Sequence, residues 1–249
     1  MKVGLFIPCY VDQFYPQVGV ATFQLLVKMG CEVHYVREQT CCGQPLANSG
    51  HEESSKDCAN RFVKNFSDFD FTVTPSGSCA YHVRHHYDFI RQTNEVAHVR
   101  NSTLELTEFI VDILKTPLPA TTFPHKVGLH SGCHGLRGIR LASASERKES
   151  AYNKIEQLLG VVDGLELVYP ERIDECCGFG GTFSVKEEKV SVSMGNDRIQ
   201  GFLEKEAEFI TSADMSCLMH LDGLIRRQGL AVRVVHVAEI LNGSMYGPS

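Results

Sequence analysis

Lys2-Val3-Gly4-Leu5, with Cys9 four residues beyond, is repeated as Lys126-Val127-Gly128-Leu129, with Cys133 four residues beyond. The segments after each copy repeat as well. Cys31-Glu32-Val33-His34-Tyr35-Val36 and Leu165-Glu166-Leu167-Val168-Tyr169 each run toward a Cys-Cys-Gly triplet, at Cys41-Cys42-Gly43 and Cys176-Cys177-Gly178. Phe71-Thr72-Val73-Thr74 precedes Cys79 as Phe209-Ile210-Thr211-Ser212 precedes Cys217. An internal repeat governs every later assignment. It divides the chain into two cysteine-rich domains, 1–118 and 124–249, joined by the proline- and threonine-rich stretch 116–124.

Within each half, short β-rich runs alternate with longer amphipathic ones. In the first, 3–8, 32–36 and 71–74 read as strands. Residues 18–29 read as a helix, with Val20, Phe23, Leu26 and Val27 at helical spacing and Gly30 as the stop. Residues 51–66, 79–92 and 104–114 also read as helices. In the second half, 127–130, 165–169, 208–211 and 232–237 read as strands, and 145–159, 185–206 and 217–228 as helices. Strands alternating with helices give parallel sheets covered on both faces. The expected fold is α/β, two similar Rossmann-like halves with parallel sheets, related by internal duplication.

A chain of 249 residues buries a core without needing disulfides or metal to fold. A formal charge of −6 carries no electrostatic footprint for nucleic acid or an anionic membrane surface. No apolar run approaches the roughly 20 residues of a membrane span. The apolar run after Lys2 is too short for a signal peptide and lacks a small-residue cleavage site. A cytoplasmic protein is expected, in which clustered cysteines bind metal or react rather than form disulfides.

Eight of the ten cysteines fall into two sets of four: Cys9, Cys41, Cys42 and Cys79, then Cys133, Cys176, Cys177 and Cys217. Cys31 and Cys58 stand apart and suit the role of small buried hydrophobes. Within each set, one cysteine ends a strand, the pair lies between a strand and a helix, and the last opens a helix. Ligands of open α/β sheets collect beyond the carboxyl ends of strands, so four thiols of each half can converge there. Helix N-termini favour thiolate, the form that binds metal. Four soft thiolates select iron–sulfur or zinc. The long gaps differ from the close pairs of a zinc finger and from the compact bacterial ferredoxin run. A redox dithiol is the other reading of an adjacent cysteine pair.

The doubled order Cys, Cys-Cys-Gly, Cys resembles the cysteine-rich CCG domain family, which includes the B subunit of heterodisulfide reductase and the iron–sulfur subunit of glycolate oxidase. The size, and two copies filling the whole chain, look most like its lactate-utilisation branch. The resemblance implies an iron–sulfur protein of a cytosolic complex oxidising L-lactate to pyruvate. Its implied partners are a ferredoxin-like iron–sulfur subunit and a third, small subunit. In heterodisulfide reductase the motif closes with a fifth cysteine. Here it closes as Cys79-Ala80-Tyr81-His82 and Cys217-Leu218-Met219-His220. Four thiolates per site suffice for an ordinary [4Fe–4S] cluster, one or two per chain. His82 and His220, three residues after their cysteines on one helix face, either ligate, donate to a cluster sulfur or pack. Alternatives to the electron-transfer role are a scaffold carrying zinc at one site and a thiol–disulfide reductase.

Other residues admit plainer roles. Arg137 and Arg140, beside Cys133, suit a carboxylate but read first as solvated cations. Gly178-Phe179-Gly180-Gly181-Thr182 lacks the ending of a phosphate loop and reads as a turn bringing backbone close to the site. His82, His85 and His86 lack an acidic partner and read as a solvated helix face. No Ser-His-Asp or Gly-x-Ser-x-Gly arrangement supports hydrolysis.

Overall fold

The first apolar run and its copy each start a sheet of the same topology. The computed structural model describes residues 1–243. In the first half, β1 (Lys2–Leu5) leads through α1 (Cys9–Phe14) and α2 (Pro16–Lys28) to β2 (Glu32–Tyr35). Then α3 (Gln44–Asn48) and α4 (Glu52–Phe66) lead to β3 (Phe71–Thr74), followed by α5 (Gly77–His86) and α6 (Asn94–Ser102). β4 (Thr103–Glu105) and α7 (Leu106–Glu108) come next, with a wider π-type turn over Phe109–Leu114. In the second half, β5 (Lys126–Leu129) precedes α8 (Lys154–Leu159) and β6 (Glu166–Val168). α9 (Phe183–Lys186) and α10 (Glu188–Leu203) lead to β7 (Phe209–Ser212), and α11 (Met215–Gln228) to β8 (Arg233–His236) and α12 (Val237–Asn242).

All strand pairs within these sheets are parallel, in the orders β2-β1-β3-β4 and β6-β5-β7-β8. The registers match: Val3 lies beside Val33 and Phe71, and Val127 beside Leu167 and Phe209. The chain is therefore α/β, in two similar halves. Gly4 and Gly128 hold equivalent places because an aromatic ring from a long helix lies on each. A Cβ on Gly4 would come within 2.9 Å of Phe66, and one on Gly128 within 2.7 Å of Phe202 Cε1.

The halves exchange their last helices. α12 packs on α2, and α7 on α8. Lys28 Nζ donates to the Asn242 carbonyl at 2.8 Å, and Lys154 pairs with Asp112 across the same boundary. One apolar core runs through both, from Val11, Leu25 and Val73 to Leu129, Ile210 and Leu241. A second lies within the first half around Phe6, Phe62, Phe66 and Tyr87.

The structure corrects several sequence assignments. Residues 103–105 form the edge strand β4 rather than the start of a helix. Residues 145–153 are not helical. That stretch offers no apolar stripe to bury, and its charges are used elsewhere: Glu146 and Glu149 reach Arg137 and Arg140. The α8 helix begins only where Asn153 Oδ1 caps the Ile155 and Glu156 amides. The long helix expected over 185–206 is divided at Glu187. β1 and β5 stop at Leu5 and Leu129, so Cys9 and Cys133 lie beyond their strands rather than at the ends. On α2 the buried side is Val18, Ala21, Thr22, Leu25 and Leu26, whereas Val20, Phe23 and Val27 are exposed. The helix is apolar nearly all round, so spacing alone does not choose the face.

Candidate metal centre

Each cysteine of the two sets is placed by the edge of a regular element. Cys9 opens α1. Cys41 and Cys42 lie between β2 and α3, and Cys79 is in the first turn of α5, its amide donating to Ser76 Oγ at 3.2 Å. Cys133 immediately precedes the turn His134–Gly138, Cys176 and Cys177 lie between β6 and α9, and Cys217 is in the first turn of α11. All eight line one cleft of about 340 Å³ between the halves. All ten cysteines of the chain are free thiols. Cys31 is buried in the core, as expected, whereas Cys58 is only half-buried and lies behind Gly43.

The two sets are built alike. Cys9 Sγ is 3.8 Å from Cys41 Sγ, and Cys42 Sγ 3.5 Å from Cys79 Sγ. The Gly43 amide donates to Cys41 Sγ at 3.4 Å, and the Gly178 amide to Cys176 Sγ at 3.3 Å. These two glycines have φ of +90° and +86°, which lets the chain reverse and turn its amide toward the sulfur. Ser55 Oγ and Ser191 Oγ then donate to the Gly43 and Gly178 carbonyls, at 3.1 and 2.8 Å. Tyr87 donates to the Cys42 carbonyl at 2.9 Å from the buried side.

Mutual hydrogen bonding sorts the thiols. Bonds from Cys42 and Cys9, with the Gly43 amide, push the Cys41 thiol well below its ordinary range. Cys133 and Cys177, with the Gly178 amide, do the same for Cys176. The donors are pushed the other way: bonding to that thiolate raises Cys9 and Cys42 in one set and Cys133 and Cys177 in the other. Cys41 and Cys176, which accept from neighbouring thiols and a glycine amide, are thus the cysteines of their sets most readily deprotonated, and a metal binds cysteine as the thiolate.

Loops from the two halves close around the cleft. Ser76 and Asp214, the residues capping α5 and α11, form an isolated antiparallel bridge. Asp214 Oδ2 accepts from the Ser78 amide at 2.7 Å and Ser76 Oγ at 3.4 Å. Tyr10 meets Phe179 edge to face at 5.9 Å, and Tyr81 stacks on His134 at 5.1 Å. The glycine-rich loop contributes Phe179, Gly180, Gly181 and Thr182 to the cleft wall. Arg137 is paired with Glu146 and Asp174, and Arg140 with Glu149.

The histidines divide unexpectedly. His82 is not on a solvated face. It is 1% exposed, stacked on His86 and set against Tyr87 and Phe89. Neither of its nitrogens has a hydrogen-bond partner among the described residues. Burial pushes its pKa down to about 4. The apolar wall that the first half builds around Tyr87 draws it in. His220 is half-buried and its Nε2 contacts the Ser191 carbonyl oxygen at 3.3 Å. His85 and His86 are exposed. The sequence reading missed His130. It is fully buried, and one of its ring nitrogens lies within 4.8 Å of Cys177 Sγ and Cys217 Sγ. It comes after Leu129 as Phe6 comes after Leu5, so setting the two copies side by side was the signal that marks it.

The cysteine-rich domain (CCG) family model matches residues 3–84 and 127–222. The chain belongs to the cysteine-rich domain family. Relatives span nearly its whole length. Lactate utilization protein A of an Exiguobacterium species is 41% identical over 97% of both chains. Lactate utilization protein A of Geobacillus thermodenitrificans is 39% identical over 97% of this chain and 99% of that one. A crystal structure of a hypothetical protein from Helicobacter pylori shares the fold alone, with a TM-score of 0.54 at 11% identity, over 100% of this chain and 49% of that one. The family resemblance carried by the doubled Cys-Cys-Gly motif is borne out. Among the described residues no helix is long and apolar enough to cross a membrane.

Proposed function

We propose that this chain is an iron–sulfur electron-transfer subunit of a cytoplasmic complex that oxidises L-lactate to pyruvate. The observation that carries the proposal is the convergence of both cysteine sets, all as free thiols, on one cleft. The full-length likeness to proteins named lactate utilization protein A supplies the substrate.

The donor sets fit such a group. Each offers four sulfurs, one of them on a thiol pushed below its ordinary range, with a glycine amide aimed at that sulfur. In this reading Cys9, Cys41, Cys42 and Cys79 hold one [4Fe–4S] cluster, and Cys133, Cys176, Cys177 and Cys217 the other. A bound cluster of this kind takes up and releases one electron at a time. Oxidation of lactate to pyruvate releases two electrons and two protons, so two one-electron sites in one cleft match the donor. The chain's own residues supply the thiolates, the amide hydrogen bonds and the partial exclusion of water by Tyr10 and Phe179. A ferredoxin-like iron–sulfur subunit and a third small subunit complete the complex.

Protein purified without oxygen tests this by its iron, sulfide and zinc content and its absorption. Iron and sulfide of about four each per site, with a brown absorption that bleaches on reduction, is the expected result. Stoichiometric zinc without sulfide would refute it in favour of a zinc-bearing scaffold.

A further inference from the structure

The two sets differ in what stands behind them. In the first half Phe6 meets Phe62 edge to face, with ring centroids 4.8 Å apart. The equivalent residues in the second half are His130 and Arg198. Equivalence comes from Ser55 and Ser191, which bond to the carbonyls of Gly43 and Gly178, and from Phe66 and Phe202, which cover Gly4 and Gly128. An apolar aromatic pair behind one cysteine set is thus replaced by a polar, cationic pair behind the other.

Arg198 is 1% exposed, an environment that rejects an uncompensated charge. Among the described residues its hydrogen-bond acceptors are three carbonyls and a ring nitrogen, with no carboxylate. Its guanidinium donates to the Arg172 carbonyl, to the Ile173 carbonyl at 2.9 Å and to the Leu129 carbonyl at 3.5 Å. Its Nε donates to His130 Nδ1 at 3.1 Å. Because a guanidinium has donors only, Nδ1 must be the accepting nitrogen. The proton of the neutral ring then lies on Nε2, which is buried and has no hydrogen-bond partner among the described residues. A protonated Nε2 has no lone pair for a metal but does have a hydrogen to donate. One nitrogen of the ring and the sulfurs of Cys177 and Cys217 all lie within 4.8 Å of one another.

We infer that Arg198 fixes the His130 proton on Nε2, as a donor to the sulfurs of Cys177 and Cys217 when these hold a cluster, which makes the two sites electronically unequal. His130 is a positioning and tuning residue there, not a metal ligand. The inference rests on the iron–sulfur reading above. Donation to a cluster sulfur, with a buried cation behind it, stabilises the more negative reduced state, so the second site takes the electron first. The first site, backed by Phe6 and Phe62, has the lower potential.

The test uses the full-length chain purified without oxygen. Its iron and sulfide are measured, its potentials are read by redox titration with electron paramagnetic resonance, and the His130 ring tautomer is read by ¹⁵N-histidine NMR of the cluster-free chain. Two distinct potentials and an Nε2–H tautomer are expected. His130→Phe with Arg198→Phe copies the pair that packs in the first half. It should keep iron and sulfide and lower only the higher potential, toward the other. His130→Gln, which retains an N–H, should leave that potential near its original value; if the double variant loses iron, His130→Met against His130→Gln makes the same comparison. A full cluster complement with unchanged potentials, or an Nδ1–H tautomer, would overturn the inference alone. An unmodified chain without iron and sulfide would overturn the cluster reading and take the inference with it.

Discussion

Replacing Gly178 by alanine probes how the second cysteine pair is held. At φ +86° a side chain adds about 1–2 kcal/mol of strain. The new Cβ would also stand 2.7 Å from the Ser191 carbonyl oxygen and 2.8 Å from Met194 Cβ. The first of these is the backbone of α10, fixed further by its contact with His220 at 3.3 Å. Relieving the overlap adds roughly 1–3 kcal/mol, for about 2–5 kcal/mol in all. Gly181 is the control. It has φ +65° with nothing within 4 Å of an added methyl, so Gly181→Ala loses only about 1–2 kcal/mol. At roughly 2–4 °C per kcal/mol for a chain of this size, calorimetry should place Gly178→Ala about 4–20 °C below the parent, and Gly181→Ala about 2–8 °C below. The strained loop carries Cys176 and Cys177, so Gly178→Ala should also hold about half the iron of Gly181→Ala. Equal melting temperatures with equal iron would show that this turn does not position the pair, and the reasoning would fail.

Three further outcomes are expected. Cys177→Ser should halve iron and sulfide and stop lactate-dependent growth; growth at the parental rate would remove any required role for the second site. Burial pushes the Glu105 carboxyl up to about 8, so the stability it contributes is full below its unfolded value of 4.5 and is lost as pH rises through about 8. The urea midpoint of Glu105→Gln should therefore fall less between about pH 5 and 9 than that of the parent, and parallel curves would contradict the assignment. Asp214→Ala removes acceptors for the Ser78 and Ser216 amides and should lose about 1–3 kcal/mol, against under about 1 kcal/mol for Ser216→Ala. Denaturant unfolding that gives both variants the same loss would count against the cross-half bond.

Much of this architecture is legible in the sequence because burial writes a short period. The apolar runs at 3–5, 71–74 and 127–129 sit in the middle of their sheets, where nothing competes with strand formation. The convergence of the cysteines comes from parallel topology, since all strand ends of a half point one way. The illegible parts depend on tertiary neighbours. Val20, Phe23 and Val27 fit a buried stripe as well as Val18, Ala21 and Leu25 do, and packing on α1, on β2 and, from the other half, on α12 selects between them. β4 is three residues long and owes its strand character to pairing with β3, not to its own pattern. His130 and Arg198 lie 68 residues apart, and their meeting has no local sequence signature.

Ser76 and Asp214 hold equivalent places, each three residues before the last cysteine of its set, and they meet at the seam between the halves. Had the two halves been separate, identical polypeptides, each residue at this point would face its own twin. Paired aspartates would repel, and paired serines would leave the Ser78 amide without a charged acceptor. A single chain that carries both halves is free of that constraint, because the two positions can hold different residues. One side gives the hydroxyl and the amide, and the other receives them, so the seam has a polarity that no pair of identical halves could possess.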